Sequence, residues 1–305
     1  MRRSDYQNLA LGDRATVADE AMARRLVLRR LWAGLGIEVV TTAWQRELHA
    51  ERSECRPEYA AIEIMRTGCF EKRVGRERLI ADAGMVVFHD PGEGFEIRHP
   101  CGGSNRGTTL RIGLEALEEL RAARGVAGRD GFRSRWAASP AAFALAAHRL
   151  SGFAEEPDEF ACEEAVVLLV EAALELDEAR CEALPDLRGL AASRTRTVQA
   201  FLNESFAQPL RLTDVARVAG CSVWHVSKQF RRATGVTIHA WLTRLRLRHA
   251  LEALHDGACD LTRVALDVGF SSHSHFAAAF GAEFGMTPAA ARAGLATQDW
   301  TPPRE

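Results

Sequence analysis

None of the seven cysteines stands in a CxxC pair with another. Cys55, Cys69, Cys101, Cys162, Cys181, Cys221 and Cys259 are scattered and odd in number, which argues against a disulfide framework and a zinc finger. Small buried or half-buried thiols in a reducing compartment are expected instead. No apolar run comes near the roughly 20 residues of a membrane span. The opening MRRSDYQNLALGDRATVADE is charged but has no apolar h-region, so a cytoplasmic protein without membrane attachment is expected. Residues 36–113 hold His49, His89 and His99 and no HxH pair, short of the histidine set that a metal oxygenase or isomerase uses. There is also no Gly-x-Ser-x-Gly elbow and no Walker loop. The expectation is no enzyme and no cofactor, with Cys69, His99 and Cys101 kept as an alternative metal or thiol sensor.

What is present is enough chain for two domains, 305 residues, with 47% hydrophobic and 26% charged residues, a folded composition. The net charge of −2 hides an imbalance. Residues 194–292 hold 12 basic and 7 acidic side chains, or +5, whereas residues 1–193 hold 26 and 32, or −6. Such asymmetry suggests an anionic partner for one part only, and nucleic acid is the first candidate.

Residues 1–35 read as a polar N-terminal extension ending in an Arg-rich frayed helix, MARRLVLRRLW, with Met22 a possible alternative start. Residues 36–113 read as β: GIEVVTTAW, YAAIEIM, MVVFH, GFEIRH and TTLRIG alternate with Gly and Pro turn signals at the spacing of a sandwich or barrel. Small barrels of this kind are natural ligand containers. Residues 114–180 turn helical, and Val166, Leu169, Val170 and Ala173 mark a face to pack on the barrel or on a second subunit. The domain therefore runs over 36–183. LPDLRGLAAS places a linker at 184–194, a wholly helical domain at 195–295 and a tail at 296–305.

The helical part contains a near-repeat. LTDVARVAG at 212–220 and LTRVALDVG at 261–269 share Leu, Thr, Val, Ala and Gly in register. In each copy a Thr (Thr213, Thr262) can cap a short helix, a small Ala (Ala216, Ala265) allows a close helix crossing, and a Gly (Gly220, Gly269) makes the turn. A serine then caps a second helix: Ser222 in one copy, Ser271 or Ser272 in the other. Short helix, Gly turn and steeply crossing helix make a helix-turn-helix. The offset grows from 49 at the glycines to 50 at Phe230 and Phe280, so the second turn is one residue longer. Between the copies, Ile238, Trp241, Leu242, Leu245, Leu251 and Leu254 recur at helical spacing. A linker helix of about 18 residues spans about 27 Å, and with its turns it can hold two recognition helices about 34 Å apart, one turn of B-DNA.

LTDVARVAGCSVWHVSKQFRRATG, WLTRLRLRHALEAL and above all DVGFSSHSHFAAAFGAEFGMTPAAAR resemble the AraC/XylS family of transcription regulators over 195–293. A weaker likeness to that family's cupin-type sensor lies in GCF, ADAGMVVFHDPGEGFEIRHP and GGSN. The resemblance implies an α+β multidomain protein: an N-terminal cupin-like β-barrel with flanking helices, then an all-α domain with two helix-turn-helix units. It implies a regulator that binds double-stranded DNA in two successive major grooves, senses a small-molecule effector, forms a homodimer through the sensor half and contacts RNA polymerase. The alternatives are the Cys69/His99/Cys101 sensor and a cupin enzyme fused to a DNA-binding domain. Carried onto this chain, Trp224, Ser227 and Lys228 would face the groove, Ser222 would serve as cap and phosphate donor, and Arg231 and Arg232 would anchor phosphates. In the second unit Ser272, His273, Ser274 and His275 take these places, His275 with a structural or phosphate role as well. Ala278 departs from the polar residue common there, so the second unit should read fewer bases. Phe230, Phe276, Phe280 and Phe284 should be core. Arg244, Arg246 and Arg248 should balance Glu252 and Asp256 or reach DNA, with Arg246 where the family often buries a structural arginine.

Overall fold

The structure, a computed structural model, describes residues 26–44, 53–99, 105–126, 131–152, 159–180 and 189–295. Its first segment corrects the expected frayed helix. Residues Leu26–Gly34 form strand β1, paired antiparallel with β2 (Ile37–Trp44) from Leu26↔Trp44 to Gly34↔Ile37. Leu35 and Gly36 both have positive φ, 51° and 69°, as a two-residue hairpin turn requires. A ladder along the whole strand outweighs the helix propensity of its Leu and Arg residues. Residues 1–25 lie outside the described residues.

The strands that follow are β3 (Ser53–Cys55), β4 (Ala60–Thr67), β5 (Cys69–Val74), β6 (Glu77–Asp82), β7 (Met85–His89), β8 (Phe95–Arg98), β9 (Arg106–Ile112) and β10 (Trp136–Ala138). They form two antiparallel sheets, β1-β2-β9-β4-β7-β10 and β3-β8-β5-β6. The three-residue β10 was not expected from the sequence; it is too short to show an alternation and exists by pairing with β7.

Three β segments repeat one pattern: Ile37-Glu38-Val39, Ile62-Glu63-Ile64 and Leu110-Arg111-Ile112. Alternate residues of a strand point to opposite faces. The apolar members join a core with helices α1 (Leu114–Ala123), α2 (Ala141–Gly152) and α3 (Glu159–Arg180). Val166, Leu169, Val170 and Ala173 of α3 are buried there, so this face packs on the sheet. The charged members therefore turn toward the second sheet, between the layers.

The C-terminal part comprises α4 (Gly189–Ser205), α5 (Leu212–Ala219), α6 (Val223–Thr234), α7 (Ile238–His255), α8 (Leu261–Asp267), α9 (His273–Phe284) and α10 (Pro288–Leu295). Residues 189–194, expected in a linker, are the first turns of α4; Ala191 and Ala192 favour helix, and the Thr195 hydroxyl donates back to Ala191. Residues 184–188 and 296–305 lie outside the described residues. Two cores organise this part. One gathers Val198, Val215, Val226, Phe230 and Trp241; the other gathers Leu251, Val264, Phe276, Phe280 and Phe284. Each also takes residues from the sheet-rich half, Ala83 and Met85 in the first and Ala144 and Leu145 in the second. The two halves thus share apolar packing.

Candidate nucleic-acid interface

Each short helix meets its partner through the expected alanine. Ala216 and Ala265 are buried, where any larger side chain would push the helices apart. The glycines follow. Gly220 (φ 62°) ends α5, with the Cys221 N–H donating to the Ala216 carbonyl. Gly269 (φ 90°) is more constrained, because a Cβ there would come 2.8 Å from the Ala207 carbonyl oxygen.

The caps of the first helices differ from expectation. The α5 helix begins at Leu212, and its Asp214 carboxylate accepts from the Arg211 N–H at 3.0 Å; Thr213 lies inside the first turn. Helix α8 is capped by Asp260, which accepts from the N–H groups of Thr262 and Arg263. In both cases a carboxylate at the positive helix end supplies charge as well as an acceptor, which a threonine hydroxyl cannot. The second helices begin as expected. Ser222 accepts from the His225 N–H at 3.3 Å, and Ser272 from the His275 N–H at 3.2 Å.

These caps set which side chains face outward. On α6, Val226 and Phe230 are buried, while Trp224 is 87% exposed and so is not a core residue. Lys228, Arg231 and Arg232 are exposed, Ser227 is half-buried, and Ser222 is exposed at the cap. None of these three cations forms an ion pair among the described residues. On α9, Phe276, Phe280 and Phe284 are buried and Ser272, His273, Ser274 and His275 form an exposed N-terminal cluster. Ala278 and Ala282 follow on the exposed side. Glu283, the only acid of α9, faces inward to Arg248 at 3.1 Å.

The linker helix α7 spans 18 residues, and Ile238, Trp241, Leu242, Leu245, Leu251 and Leu254 are buried as the spacing predicts. Of its arginines, Arg246 has the structural role expected of it, and the others are placed otherwise. Arg246 is half-buried and donates to the carbonyls of Phe206 and Gln208, closing the loop before α5. The fully buried one is Arg248, which bonds the Ser139 carbonyl and Glu283 and lies over the Phe284 ring. None of the three balances Glu252 or Asp256. The sheet-rich half does so: Arg66 grips Glu252 with two bonds (2.9 and 2.6 Å), and Arg106 bridges Glu252 and Asp256 at 2.9 and 2.7 Å. A register shift in the β4–β9 ladder between Met65 and Thr67 puts Arg66 at a bulge, which re-aims its side chain. His148 of α2 completes the cage at 2.8 Å. Burial by itself would raise the Glu252 pKa, but the His148 and Arg66 contacts outweigh it and hold the carboxyl well below the usual range. Both His148 nitrogens face oxygen acceptors, which suits an imidazolium, although burial lowers its pKa.

The first unit is tied down differently. Asp82, fully buried at the β6–β7 turn, accepts from Gly84 N–H, Asn203 Nδ2 and Trp241 Nε1 at 3.0, 3.2 and 3.0 Å. Burial pushes its pKa up to about 6 against these hydrogen bonds.

Of the Cys69, His99 and Cys101 cluster expected from the sequence, only the first two are among the described residues. Cys69 is buried, and His99 lies against Trp44 and Phe70, with centroids 4.7 and 6.5 Å away. Cys101 lies outside the described residues, and no group of three potential metal ligands occurs among the described residues. No described helix is long and apolar enough to cross a membrane.

Residues 215–294 match the family model described as a helix-turn-helix domain. A stretch of 109 residues is 30% identical to the virulence regulon transcriptional activator VirF of Yersinia enterocolitica, covering 36% of this chain and 40% of that protein. Another of 94 residues is 36% identical to the right origin-binding protein of Escherichia coli strain K12, covering 31% of this chain and 32% of that protein. The chain thus spans less than half the length of either relative. The solved structure of ToxT from Vibrio cholerae O395 aligns over 87% of this chain and 99% of its own at 11% identity, with a TM-score of 0.36. With its paired Ala–Gly units, capped exposed helices and bridging α7, the C-terminal part of this chain carries two helix-turn-helix units across the residues that match the helix-turn-helix family model.

Proposed function

We propose that this protein is a sequence-specific DNA-binding transcription regulator, working in the cytoplasm, whose sheet-rich half senses a small molecule. The observation that carries the reading is the pair of exposed helices α6 and α9, each set by its own Gly turn and serine cap and both braced by α7. Helix α6 enters one major groove with Trp224, Ser227 and Lys228 toward the bases, and Ser222, Arg231 and Arg232 on phosphates. Helix α9 enters the next groove with Ser272, His273, Ser274 and His275. The sheet-rich half acts on DNA affinity through the Glu252 cage and the Asp82 contacts, since these hold both ends of α7. Ligand and DNA must then change each other's affinity equally. A homodimer through the sheet-rich half and contact with RNA polymerase complete the reading. A binding role rather than an enzymatic one is supported by the relatives, named as an activator and an origin-binding protein.

The test is selection of bound sequences from a random library by the full chain, followed by footprinting. The expected result is two protected segments about one helical turn apart, with stronger base preference in the segment under α6. Protection of a single groove segment would remove α9 from the interface, and the absence of any selected sequence would remove specific recognition.

A further inference from the structure

Polar groups from both sheets meet in the space between them. Lys72 and His89 are 2% and 5% exposed. The Lys72 ammonium donates to the Phe88 carbonyl at 2.8 Å and to His89 Nδ1 at 3.1 Å. His89 Nε2 must then carry the proton and donate to Glu63 Oε2 at 3.1 Å. An ammonium has three N–H donors, so one remains after these two bonds. Lys72 has no ion pair among the described residues; Glu63 reaches it through His89, Glu93 and Asp90 act on it from further off, and the Phe95 ring covers it at 4.6 Å. On β9, Thr109 faces Glu63 in the ladder, and Arg111 faces Glu38. Thr109 Oγ1 and Arg111 Nε are buried and have no hydrogen-bond partner. Buried polar atoms in folded proteins are nearly always paired, so this group is built for something more than packing.

The Phe95 ring covers part of this group. A pocket of about 470 Å³ opens at β3 and β8, with Cys55, Arg56, Arg73, Phe95 and Glu96 in its wall. Phe95 is common to both places: it lines the pocket, and its ring covers Lys72 and, at 4.9 Å, His89. Arg73 is paired with Glu96, whereas Arg56 has no ion pair among the described residues. The volume suits a small organic ligand. Glu38 is paired with Arg111 and Arg30, although its buried Oε1 accepts no hydrogen bond, and Glu63 is paired with His89; Glu54, also in the pocket wall, has no ion pair among the described residues. The cations Lys72 and Arg56 are not matched in this way. A neutral polyol would satisfy Thr109 and leave Lys72 unneutralised; a metal cation would be repelled by it.

We infer that the pocket and the polar group behind Phe95 form one binding site for a small organic carboxylate, whose anionic end is taken by Lys72 beside Thr109 and Arg111. Arg56 stands at the rim, and rotation of the Phe95 ring joins pocket and interior. This rests on the reading of the sheet-rich half as the sensing half.

The test is calorimetric titration of the full chain with propionate, hexanoate and benzoate, each against its amide. At least one acid is expected to bind at least ten-fold tighter than its amide. Burial lowers the Lys72 pKa to about 8, and a bound anion restores its charge, so binding at pH 8.5 should take up a proton, read from buffers of different ionisation enthalpy. Lys72→Met should weaken binding at least ten-fold and abolish that uptake. If Lys72→Met does not fold, Thr109→Val and Arg56→Gln carry the test, each with a three- to ten-fold loss. Amides binding as well as acids, no acid binding, or variants binding like the parent would each overturn the site. Specific DNA binding with no carboxylate binding removes this site and leaves the regulator. Carboxylate binding that leaves DNA affinity unchanged removes the sensing role and leaves the site.

Discussion

The two helix-turn-helix units share a scaffold and differ in almost everything laid upon it. Both have the buried alanine, the left-handed glycine and the serine cap. Helix α6 then displays an exposed tryptophan and three cations without an ion pair among the described residues, whereas α9 displays two histidines, serines and alanines. They are also tied down by different forces. The first unit hangs on hydrogen bonds to a buried aspartate, the second on a caged carboxylate between two arginines and a histidine. The two units agree where packing demands it and differ where they face outward.

The largest effect should come from the second tether. Glu252→Gln leaves Arg66 buried without its counter-charge and should cost roughly 3 to 5 kcal/mol in denaturant unfolding. A loss below about 1 kcal/mol would mean that the cage contributes little net stability, as exposed pairs do. Next is the paired glycine comparison. Gly269→Ala meets positive-φ strain and a backbone carbonyl at 2.8 Å, whereas a Cβ at Gly220 meets nothing within 4 Å. The first should cost about 3 kcal/mol or more and the second about 1 to 2, which is strain alone. Equal losses would show that the close approach at Gly269 relaxes freely.

The first tether should respond to pH. The Asp82 pKa is raised to about 6, so the folded chain holds a proton that the unfolded chain releases between about pH 4 and 6. Stability from this group therefore falls as pH rises through that window, by on the order of 3 kcal/mol. Asp82→Asn should flatten that slope in unfolding measured across the window, and an unchanged slope would assign it to other groups. The outward faces come last. Lys228→Ala should weaken binding to the selected DNA by about 1 to 3 kcal/mol and relax preference at one base pair if it reads a base. If it sits on phosphate, all sequences weaken alike and the salt slope falls. His273→Ala should cost less, under about 1 kcal/mol, since α9 carries no lysine or arginine. Equal losses at Lys228 and His273 would erase the asymmetry between the units.

Much of the helical half was legible because its determinants are local. Ala216, Gly220, Ser222 and the spacing of Ile238, Trp241, Leu242 and Leu245 are each set within a few residues, and the structure buries or exposes them accordingly. Less local matters were misread. Arg66 and Arg106, far away in sequence, rather than Arg244, Arg246 or Arg248, hold Glu252. The strand at Leu26–Gly34 needed β2 as a partner to exist. In the candidate interface, Trp224, Lys228 and His273 were expected outward from the family resemblance and are exposed, but whether nearby cations are free or paired depends on what other elements bring to them.

The sequence by itself determined the period of each element and which residues share a face. Ile-Glu-Val, Ile-Glu-Ile and Leu-Arg-Ile say that one face of the sheet is apolar and the other charged. Only the tertiary structure decided that the charged face looks into the molecule rather than into water. A strand's alternation fixes two faces and is blind to what covers them; here α1, α2 and α3 took the apolar face and a second sheet closed over Glu38, Glu63 and Arg111. A charge is cheap in water and costly in a closed space, so that single placement turns an ordinary solvated strand face into a site.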